Sequence, residues 1–358
     1  MTFDDVLEIK NGRNQKAVEN PNGKYPIYGS GGVMGYADDY ICDADTVIVG
    51  RKGSINNPIF VEEPFWNVDT AFGLAAKKDL LMPRYLYYFC MHFDFERLNK
   101  AVTIPSLTKS DLLKIEIELP EMAIQQDVVD KLLKIEQIIR MRQQELQKLD
   151  DLIKARFVEL FGDPMLNNKG YPLKKYGELF ELNAGGTPSK THPEYWDGGT
   201  ISWIGSNMCQ NTYIYENDGN YITEEGFNHS SARMFPIDTV LIALVGATIG
   251  KTALLKFETT TNQNVLGVRG IKEGGYTPEF VYYYTQGLYK KFLGIGDGGF
   301  AMASKGFISE LPIPVVDLAA QEQFTEFANQ VDKSKFEVQK ALDETQKLFD
   351  SLMQQYFG

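Results

Sequence analysis

Two stretches without glycine or proline constrain the fold of this chain more than any other feature. One runs from Ala123 to Phe161 and the other from Leu318 to Phe357. Because both helix-breaking residue types are missing, each stretch is predicted to form one helix about 55 Å long. Helices gain most of their stability from packing rather than from propensity, so each predicted helix needs a partner along its length.

The apolar residues of both stretches recur at alternating intervals of four and three, the heptad spacing of coiled coils. Polar residues interrupt this spacing at Arg142, Arg156, Lys335 and Thr345. We expect the two helices to pack on each other in antiparallel orientation. The alternative is two tandem domains, each with its own terminal helix. The predicted helix interface consists of Val128, Leu132, Ile135, Ile139, Leu146, Leu149, Ile153, Val331, Val338, Leu342, Phe349 and Leu352.

The sequence follows one plan twice. Five blocks recur in the same order, namely residues 3–9 and 176–182, 45–49 and 238–242, 83–89 and 278–284, 115–120 and 311–316, and 161–162 and 357–358. The offset grows by about 20 residues after the first block and then stays nearly constant, which indicates an insertion early in the second half. In each half, short β-like runs precede the long helix. We therefore predict an α+β fold of two globular mixed α/β domains separated by two long helices packed as an antiparallel coiled coil, with a pseudo-twofold internal repeat.

The charge of the chain limits how it could bind nucleic acid. It has 36 Lys and Arg against 48 Asp and Glu, a formal net charge of −12. Domains that bind nucleic acid unaided are usually basic, and here the acidic excess is spread over the chain without a basic segment. A chain of this composition is expected to hold DNA weakly by itself, with partner subunits supplying most of the phosphate neutralisation.

Cysteine number and hydropathy indicate a cytoplasmic protein. Cys42, Cys90 and Cys209 are odd in number and far apart, which excludes a disulfide framework and a CxxC zinc module. The N-terminal residues lack the pattern of a signal peptide, and the longest apolar runs are far shorter than the roughly 20 residues of a membrane helix.

No motif for catalysis, metal or nucleotide binding is complete. Residues 246–252 (GATIGKT) have three residues between the glycines, whereas a phosphate-binding P-loop has four. Residues 57–60 (NPIF) lack the second proline of an amino-methyltransferase motif. The three histidines, His92, His192 and His229, stand in no zinc-binding context. We expect no catalytic residue, no metal and no cofactor in this chain.

Polar, glycine-spaced loops lie at matching places in the two halves. Such loops can approach a nucleic-acid backbone closely and hydrogen-bond to base edges, although the same residues also suit ordinary turns. Arginine pairs with guanine, asparagine with adenine, and lysine also with phosphate. The candidate DNA contacts are Arg51, Lys52, Ser54, Asn56, Asn67, Lys109, Lys190, Asn207, Thr248, Lys251, Asn262 and Lys305. Weaker candidates are Thr103 and Ser106.

The loop sequences are similar to those of one known family. In the second half they are residues 185–204 (GGTPSKTHPEYWDGGTISWI), 243–251 (ALVGATIGK) and 262–264 (NQN). In the first half they are residues 25–36 (YPIYGSGGVMGY), 49–54 (VGRKGS) and 66–69 (WNVD). Together with the FGDP run at 161–164, these motifs resemble the target-recognition domains of type I restriction–modification specificity (S) subunits.

The resemblance implies a division of the chain and a set of partners. Residues 1–120 and 171–316 would be target-recognition domains, 121–162 and 317–358 spacer helices, and 163–170 a linker. In that family each target-recognition domain reads one half of a split DNA site. The helices fix the spacer and bind two methyltransferase (M) subunits, which methylate adenine at N6. Restriction (R) subunits add ATP-dependent cleavage, and S-adenosylmethionine, ATP and Mg²⁺ would be bound by those partners.

Two other functions are compatible with the sequence. One is a duplicated protein-binding adaptor without sequence-specific DNA readout. The other is an enzyme with an unrecognised active site, for which activity of the isolated chain would be required. Under the resemblance, the differing loops of the two halves predict an asymmetric bipartite recognition site.

Overall fold

Two helices of 40 residues each are the longest elements of the computed structural model, which describes residues 1–99, 106–295 and 302–358. The candidate Thr103 lies outside the described residues. The helices are α1 (Phe3–Val6), α2 (Pro83–His92), α3 (Lys109–Leu112), α4 (Met122–Phe161), α5 (Tyr176–Leu179), α6 (Glu224–Asn228), α7 (Pro278–Gly287), α8 (Tyr289–Leu293), α9 (Lys305–Ser309) and α10 (Leu318–Phe357).

The strands are short, and most of them precede the long helix of their half. They are β1 (Leu7–Asn11), β2 (Tyr25–Gly29), β3 (Gly32–Ala37), β4 (Thr46–Gly50), β5 (Ile59–Val61), β6 (Trp66–Asn67), β7 (Ala71–Ala76), β8 (Leu173–Lys175), β9 (Glu181–Ala184), β10 (Ile201–Ile204), β11 (Thr212–Ile214), β12 (Tyr221–Ile222), β13 (Met234–Phe235), β14 (Val240–Ala243), β15 (Thr252–Leu255), β16 (Thr259–Thr261), β17 (Val265–Arg269) and β18 (Pro312–Pro314). The predicted mixture of helix and sheet is confirmed.

The long helices begin and end within one residue of the bounds taken from the sequence. The sequence bounds of 121–162 and 317–358 compare with Met122–Phe161 and Leu318–Phe357 in the structure. Gly162 ends α4 because its φ of +81° is favourable for glycine, and its N–H donates to the carbonyl of Val158 over 2.8 Å.

The chain divides into two units, and the division cuts both long helices. Unit 1 comprises Met1–Gln144 and Val338–Gly358, and unit 2 comprises Glu145–Glu337. Each unit therefore contains a globular part, part of α4 and part of α10. The sequence-based bounds instead treat each helix as a separate segment.

The main sheet of unit 1 has the strand order β1-β7-β4-β5, and all its pairs are antiparallel. A second sheet has the order β3-β2-β6. The hydrophobic core joins the main sheet to α2 and to both long-helix segments. Its members include Val47, Leu74, Leu86, Leu132 and Phe349, all buried.

The main sheet of unit 2 has the order β11-β15-β14-β17-β9. The four strands β15-β14-β17-β9 are antiparallel neighbours, as the four strands of the main sheet of unit 1 are. A second sheet has the order β12-β10-β16-β13, and β8 pairs with β18. The core again reaches both long-helix segments, through Phe157 and Phe324 among others.

The same turn precedes the central strand of each main sheet. Asp45 and Asp238 both have positive φ, at 62° and 67°; Asp45 lies one residue before β4 and Asp238 two residues before β14. The next residue, Thr46 or Thr239, donates its hydroxyl to a carbonyl three residues earlier over 2.7 Å in each case. Aspartate tolerates this left-handed conformation better than most residues, which explains why both copies carry it.

Within unit 1, the segments of α4 and α10 run in opposite directions. Tyr88 contacts both helices, donating its hydroxyl to Glu136 over 3.0 Å and packing edge-on against the ring of Phe349. Farther along α4, the guanidinium of Arg142 donates to the carbonyl of Ala341 and the hydroxyl of Thr345. Arg142 and Thr345, two polar residues that interrupt the heptad spacing, therefore hydrogen-bond to each other.

Within unit 2, the segments are also antiparallel. The Lys335 ammonium lies 2.6 Å from Asp150 Oδ1, and Phe157 packs on Phe324 with ring centroids 5.2 Å apart. Burial by itself lowers the pKa of Lys335, but the hydrogen bond and charge of Asp150 offset this, so the pKa is raised overall. Burial raises the pKa of the neighbouring Asp332. Lys335, another polar residue that interrupts the heptad spacing, is thus ion-paired with Asp150.

All twelve predicted interface residues are buried or partly buried. The heptad spacing did not include Phe157 and Met353, which are 3% and 6% exposed.

Candidate nucleic-acid interface

In unit 2, two asparagine side chains lie over one glycine. A Cβ atom on Gly205 would lie 2.4 Å from Asn207 Oδ1, so a larger residue there would displace this amide, and 3.6 Å from Asn262 Nδ2, an ordinary contact distance. Asn207 is exposed, and Asn262 is half-buried with its Oδ1 accepting the N–H of Asn264 over 3.0 Å. The arrangement presents amide groups of the kind that hydrogen-bond to base edges.

A lysine and a glutamine connect this asparagine pair to the next loop. Lys251 Nζ donates to Gln210 Oε1 over 2.7 Å, and Gln210 Nε2 donates to the carbonyl of Asn207 over 2.9 Å. Thr248 is one turn before Lys251, and its carbonyl accepts the Lys251 N–H over 2.9 Å. We call residues 205–210, 245–251 and 262–264 the unit 2 loop cluster.

Two further lysines flank the unit 2 loop cluster. The N–H of Ala303 donates to the carbonyl of Leu244 over 2.8 Å, which brings the exposed Lys305, the first residue of α9, near the loop. In addition, Thr187 donates its hydroxyl to Gln263 of the cluster, and the exposed Lys190 follows Thr187 by three residues. The structure therefore brings Asn207, Thr248, Lys251 and Asn262 together in the unit 2 loop cluster, and Lys190 and Lys305 lie two or three residues from chain segments that contact it or its neighbour Leu244.

The loop after β4 presents the cations of unit 1. The N–H groups of Arg51 and Lys52 donate to the carbonyl of Thr70 over 2.7 and 3.3 Å, and the carbonyl of Arg51 accepts the Leu107 N–H over 3.0 Å. Lys52 also forms a β-bridge with Ser106. Both cationic side chains and Ser54 are exposed. The backbone of this loop is fixed while its charged side chains stay accessible.

Two first-half candidates use their side chains inside unit 1. Asn56 Nδ2 donates to Asp94 Oδ1 over 2.9 Å, and Asn56 Oδ1 accepts the N–H of Phe95 over 2.7 Å. The hydrogen bond from Asn56 is the main cause that lowers the pKa of Asp94. Lys109 Nζ donates to the carbonyl of Ile9 over 2.7 Å. Both side chains have structural partners already.

The prediction that Asn67 contacts DNA is wrong. Asn67 is 0% exposed, and its Nδ2 donates to the carbonyl of Ala71 over 3.1 Å. It lies on β6 between the buried residues Trp66 and Val68. A side chain enclosed in the unit cannot reach a base. Asn262, by contrast, follows β16 instead of lying in a strand, and it is only half-buried.

Sequence reasoning missed Gln210 and Gln263. Gln210 meets Lys251 across 41 positions of sequence, and Gln263 meets Thr187 across 76. Contacts between residues so far apart in sequence cannot be predicted from local spacing. Gln263 does lie within the 262–264 motif that resembles the family.

Within residues 1–99, 106–295 and 302–358, no three His, Cys, Asp or Glu side chains are grouped in a way that could hold a metal ion. The cysteines are buried, and burial raises the pKa of both Cys42 and Cys209 to about 12. No helix in the same part of the chain combines the length and apolar character needed to cross a membrane.

Curated relatives with sequence similarity are specificity subunits. The type I restriction enzyme EcoR124I/EcoR124II specificity subunit of Escherichia coli is 27% identical over 165 residues, which is 44% of this chain and 40% of the relative. The MjaIX specificity subunit of Methanocaldococcus jannaschii is 37% identical over 117 residues, which is 32% of this chain and 26% of the relative. The matched regions thus span less than half the length of these two relatives.

Solved structures show the same fold. The type I restriction–modification S subunit from M. genitalium aligns with a TM-score of 0.63 at 18% identity, covering 100% of this chain and 95% of that one. A chain from a study of type I restriction–modification complex assembly aligns with a TM-score of 0.59 at 14% identity, covering 100% and 96%.

The family model described as "Type I restriction modification DNA specificity domain" matches residues 1–151 and 168–346. These two ranges cover most of the sequence and both loop surfaces described above. The resemblance drawn from the loop motifs is therefore confirmed, and the chain belongs to the family of type I restriction–modification DNA specificity proteins.

Proposed function

We propose that this chain is the non-catalytic DNA sequence-specificity subunit of a type I restriction–modification complex, with each unit reading one half of a bipartite site. The observation that carries the proposal is the unit 2 loop cluster. There Asn207 and Asn262 lie over Gly205 beside Lys251, in a chain of the DNA specificity family. Amides suit base edges, and the lysine suits phosphate or guanine.

The two long helices are proposed to pack as an antiparallel coiled coil that sets the spacer between the half-sites. The opposite directions of the helix segments within each unit support this. So does the matching order of four strands in the two main sheets, which is expected of a pseudo-twofold repeat. Exposed apolar residues on the helices, such as Met141 at 67% and Phe336 at 68%, are suited to binding M subunits.

The remaining partners follow from the same proposal. Two M subunits would supply S-adenosylmethionine-dependent adenine methylation, and R subunits would supply ATP- and Mg²⁺-dependent cleavage. The net charge of −12 supports a chain that depends on its partners to hold DNA.

Methylation sequencing of a host that carries this chain with its M subunit tests the function. The expected result is methylated adenine in a split, asymmetric motif that disappears when this chain is deleted. A chain that co-purifies with M but leaves the methylated sequence unchanged would instead be a structural adaptor. Methylation by the isolated chain would identify an enzyme.

The substitution Asn207→Ala is expected to relax the preference at one base pair of one half-site. Loss of a bidentate amide contact removes about 1–3 kcal/mol of discrimination against the wrong base. The measurement is methylation sequencing with the M–S complex. The control is Asn329→Ala, which removes an exposed asparagine on α10. If both variants methylate the wild-type motif alone, Asn207 does not read a base.

The substitution Lys251→Ala is expected to weaken binding uniformly across DNA sequences and to flatten the salt dependence by about one phosphate contact. Titration of the M–S complex at several salt concentrations measures the slope. Lys174→Ala is the matched control, because this lysine is exposed on β8, outside the unit 2 loop cluster. A wild-type slope for Lys251→Ala would exclude a phosphate contact at this position.

A further inference from the structure

The hairpin of β2 and β3 in unit 1 exposes large apolar side chains at its turn end. Val33 is 54% exposed and Met34 is 63% exposed. β3 is the outer strand of its sheet. Its last residues are covered, since the Asn20 N–H donates to the carbonyl of Tyr36 over 2.9 Å and Glu19 forms a bridge with Ala37. Val33 and Met34 lie beyond this cover.

A β-bulge sets the position of Met34. Ile27 pairs with Gly35 and Tyr28 pairs with Val33, so Met34 is the extra residue on the outer strand. Bulges re-aim a side chain and are frequent next to functional sites. The thioether of Met34 lies across Gly29, where a Cβ atom would be 2.7 Å from Sδ. An exposed apolar strand edge is usually avoided, which indicates a partner for this one.

The hairpin is continuous with the cationic loop of unit 1. A Cβ atom on Gly50 would lie 3.1 Å from the Cβ of Ser30, which is in the hairpin turn. The Val68 N–H donates to the carbonyl of Tyr28 over 3.0 Å, and two residues later the carbonyl of Thr70 accepts the N–H of Arg51. The exposed apolar pair and the exposed cations therefore belong to one surface.

We propose that Val33 and Met34 form an apolar reading element that contacts thymine methyl groups in the half-site bound by unit 1. This inference rests on the proposed function and names thymine as a base that unit 1 would recognise. In the major groove, the 5-methyl group of thymine is the apolar group that a protein side chain can meet. Arg51 and Lys52, on the same surface, are complementary in charge to the flanking phosphates. A DNA duplex offers both groups that this surface would require, a methyl group in the major groove and phosphates beside it.

The test combines protein and DNA substitutions in the full M–S complex. The probes are duplexes carrying the motif found by methylation sequencing, with each thymine of the first half-site replaced singly by uracil. The variants are Met34→Ala, the conservative Met34→Leu, and the control Met91→Ala, which alters a methionine 40% exposed on α2. We expect one uracil substitution to weaken wild-type binding about four-fold, the value of one buried methyl group. The same uracil substitution should not weaken DNA binding by the Met34→Ala complex. It should weaken binding by the Met34→Leu complex nearly as much as it does in the wild type.

Several outcomes would overturn the inference. One is that uracil at every position leaves DNA binding by the wild-type complex unchanged. Another is that the Met34→Ala complex binds the DNA no more weakly than the Met91→Ala complex does. A change in the oligomeric state of Met34→Ala with unaltered DNA affinity would identify the strand edge as a self-association surface instead. Failure of the proposed function has a different signature, since the wild-type complex would then methylate no specific motif at all.

Discussion

Inserting seven residues between Gln144 and Glu145, and seven more between Glu337 and Val338, is expected to lengthen the spacer of the methylated site by about three base pairs. Seven helical residues add about 10.5 Å, and each base pair rises about 3.4 Å. Both insertion points coincide with the boundaries of the two units. The contacts of Arg142 in unit 1 and Lys335 in unit 2 are therefore left intact, and a heptad preserves the apolar spacing. Methylation sequencing gives the spacer and both half-sites in one experiment.

The matched control is the same seven-residue insertion in α4 alone. It leaves α10 without a counterpart and should abolish site-specific methylation. With both insertions present, half-sites should be unchanged, because no loop residue is altered. A doubly extended chain that still methylates the original spacer would show that the helices do not set the distance.

Replacing Phe157 with alanine is expected to reduce the stability of unit 2 by about 4 kcal/mol. Phe157 is 3% exposed, and its ring lies 5.0 Å from Phe161, 5.4 Å from Phe280 and 5.2 Å from Phe324 between centroids. The substitution leaves a cavity where α4, α7 and α10 meet. Urea unfolding of the full chain, followed by circular dichroism, measures the loss.

The control is the adjacent substitution Val158→Ala, at a residue 44% exposed. Surface changes of this kind usually stay within about 0.5 kcal/mol. Equal unfolding midpoints for the two variants would mean that the aromatic cluster contributes little to the stability of unit 2.

The long helices were predictable because their signal is local and long. The missing glycine and proline, the heptad spacing and Gly162 together give bounds that differ from the structure by one residue at each end. The polar residues within the spacing were recognised, but their partners were not. The pairing of Arg142 with Thr345 spans 203 positions, and only the folded chain brings them together.

The candidate contacts were less predictable, because sequence alone does not separate an exposed loop residue from a buried one. Asn207 and Asn67 look alike in sequence, yet the first is exposed and the second is a buried residue of β6. Asn56 and Lys109 are polar residues in promising loops whose side chains instead stabilise unit 1. The family could be recognised from the sequence because several glycine-spaced motifs occur in the same order as in the family. A difference at a single position does not remove that resemblance.

The division of both helices between the units has a consequence for how the chain folds during synthesis. Unit 2 is one continuous segment, Glu145–Glu337, and all of its parts leave the ribosome before the last 21 residues do. Unit 1 is discontinuous, and its core includes Phe349 and Met353 from the end of the chain. Closing a loop of that length is slow, and domains synthesised first ordinarily fold first. Here we expect the reverse order, because the N-terminal unit is completed last: a chain terminated before Val338 would contain all of unit 2 and lack part of unit 1.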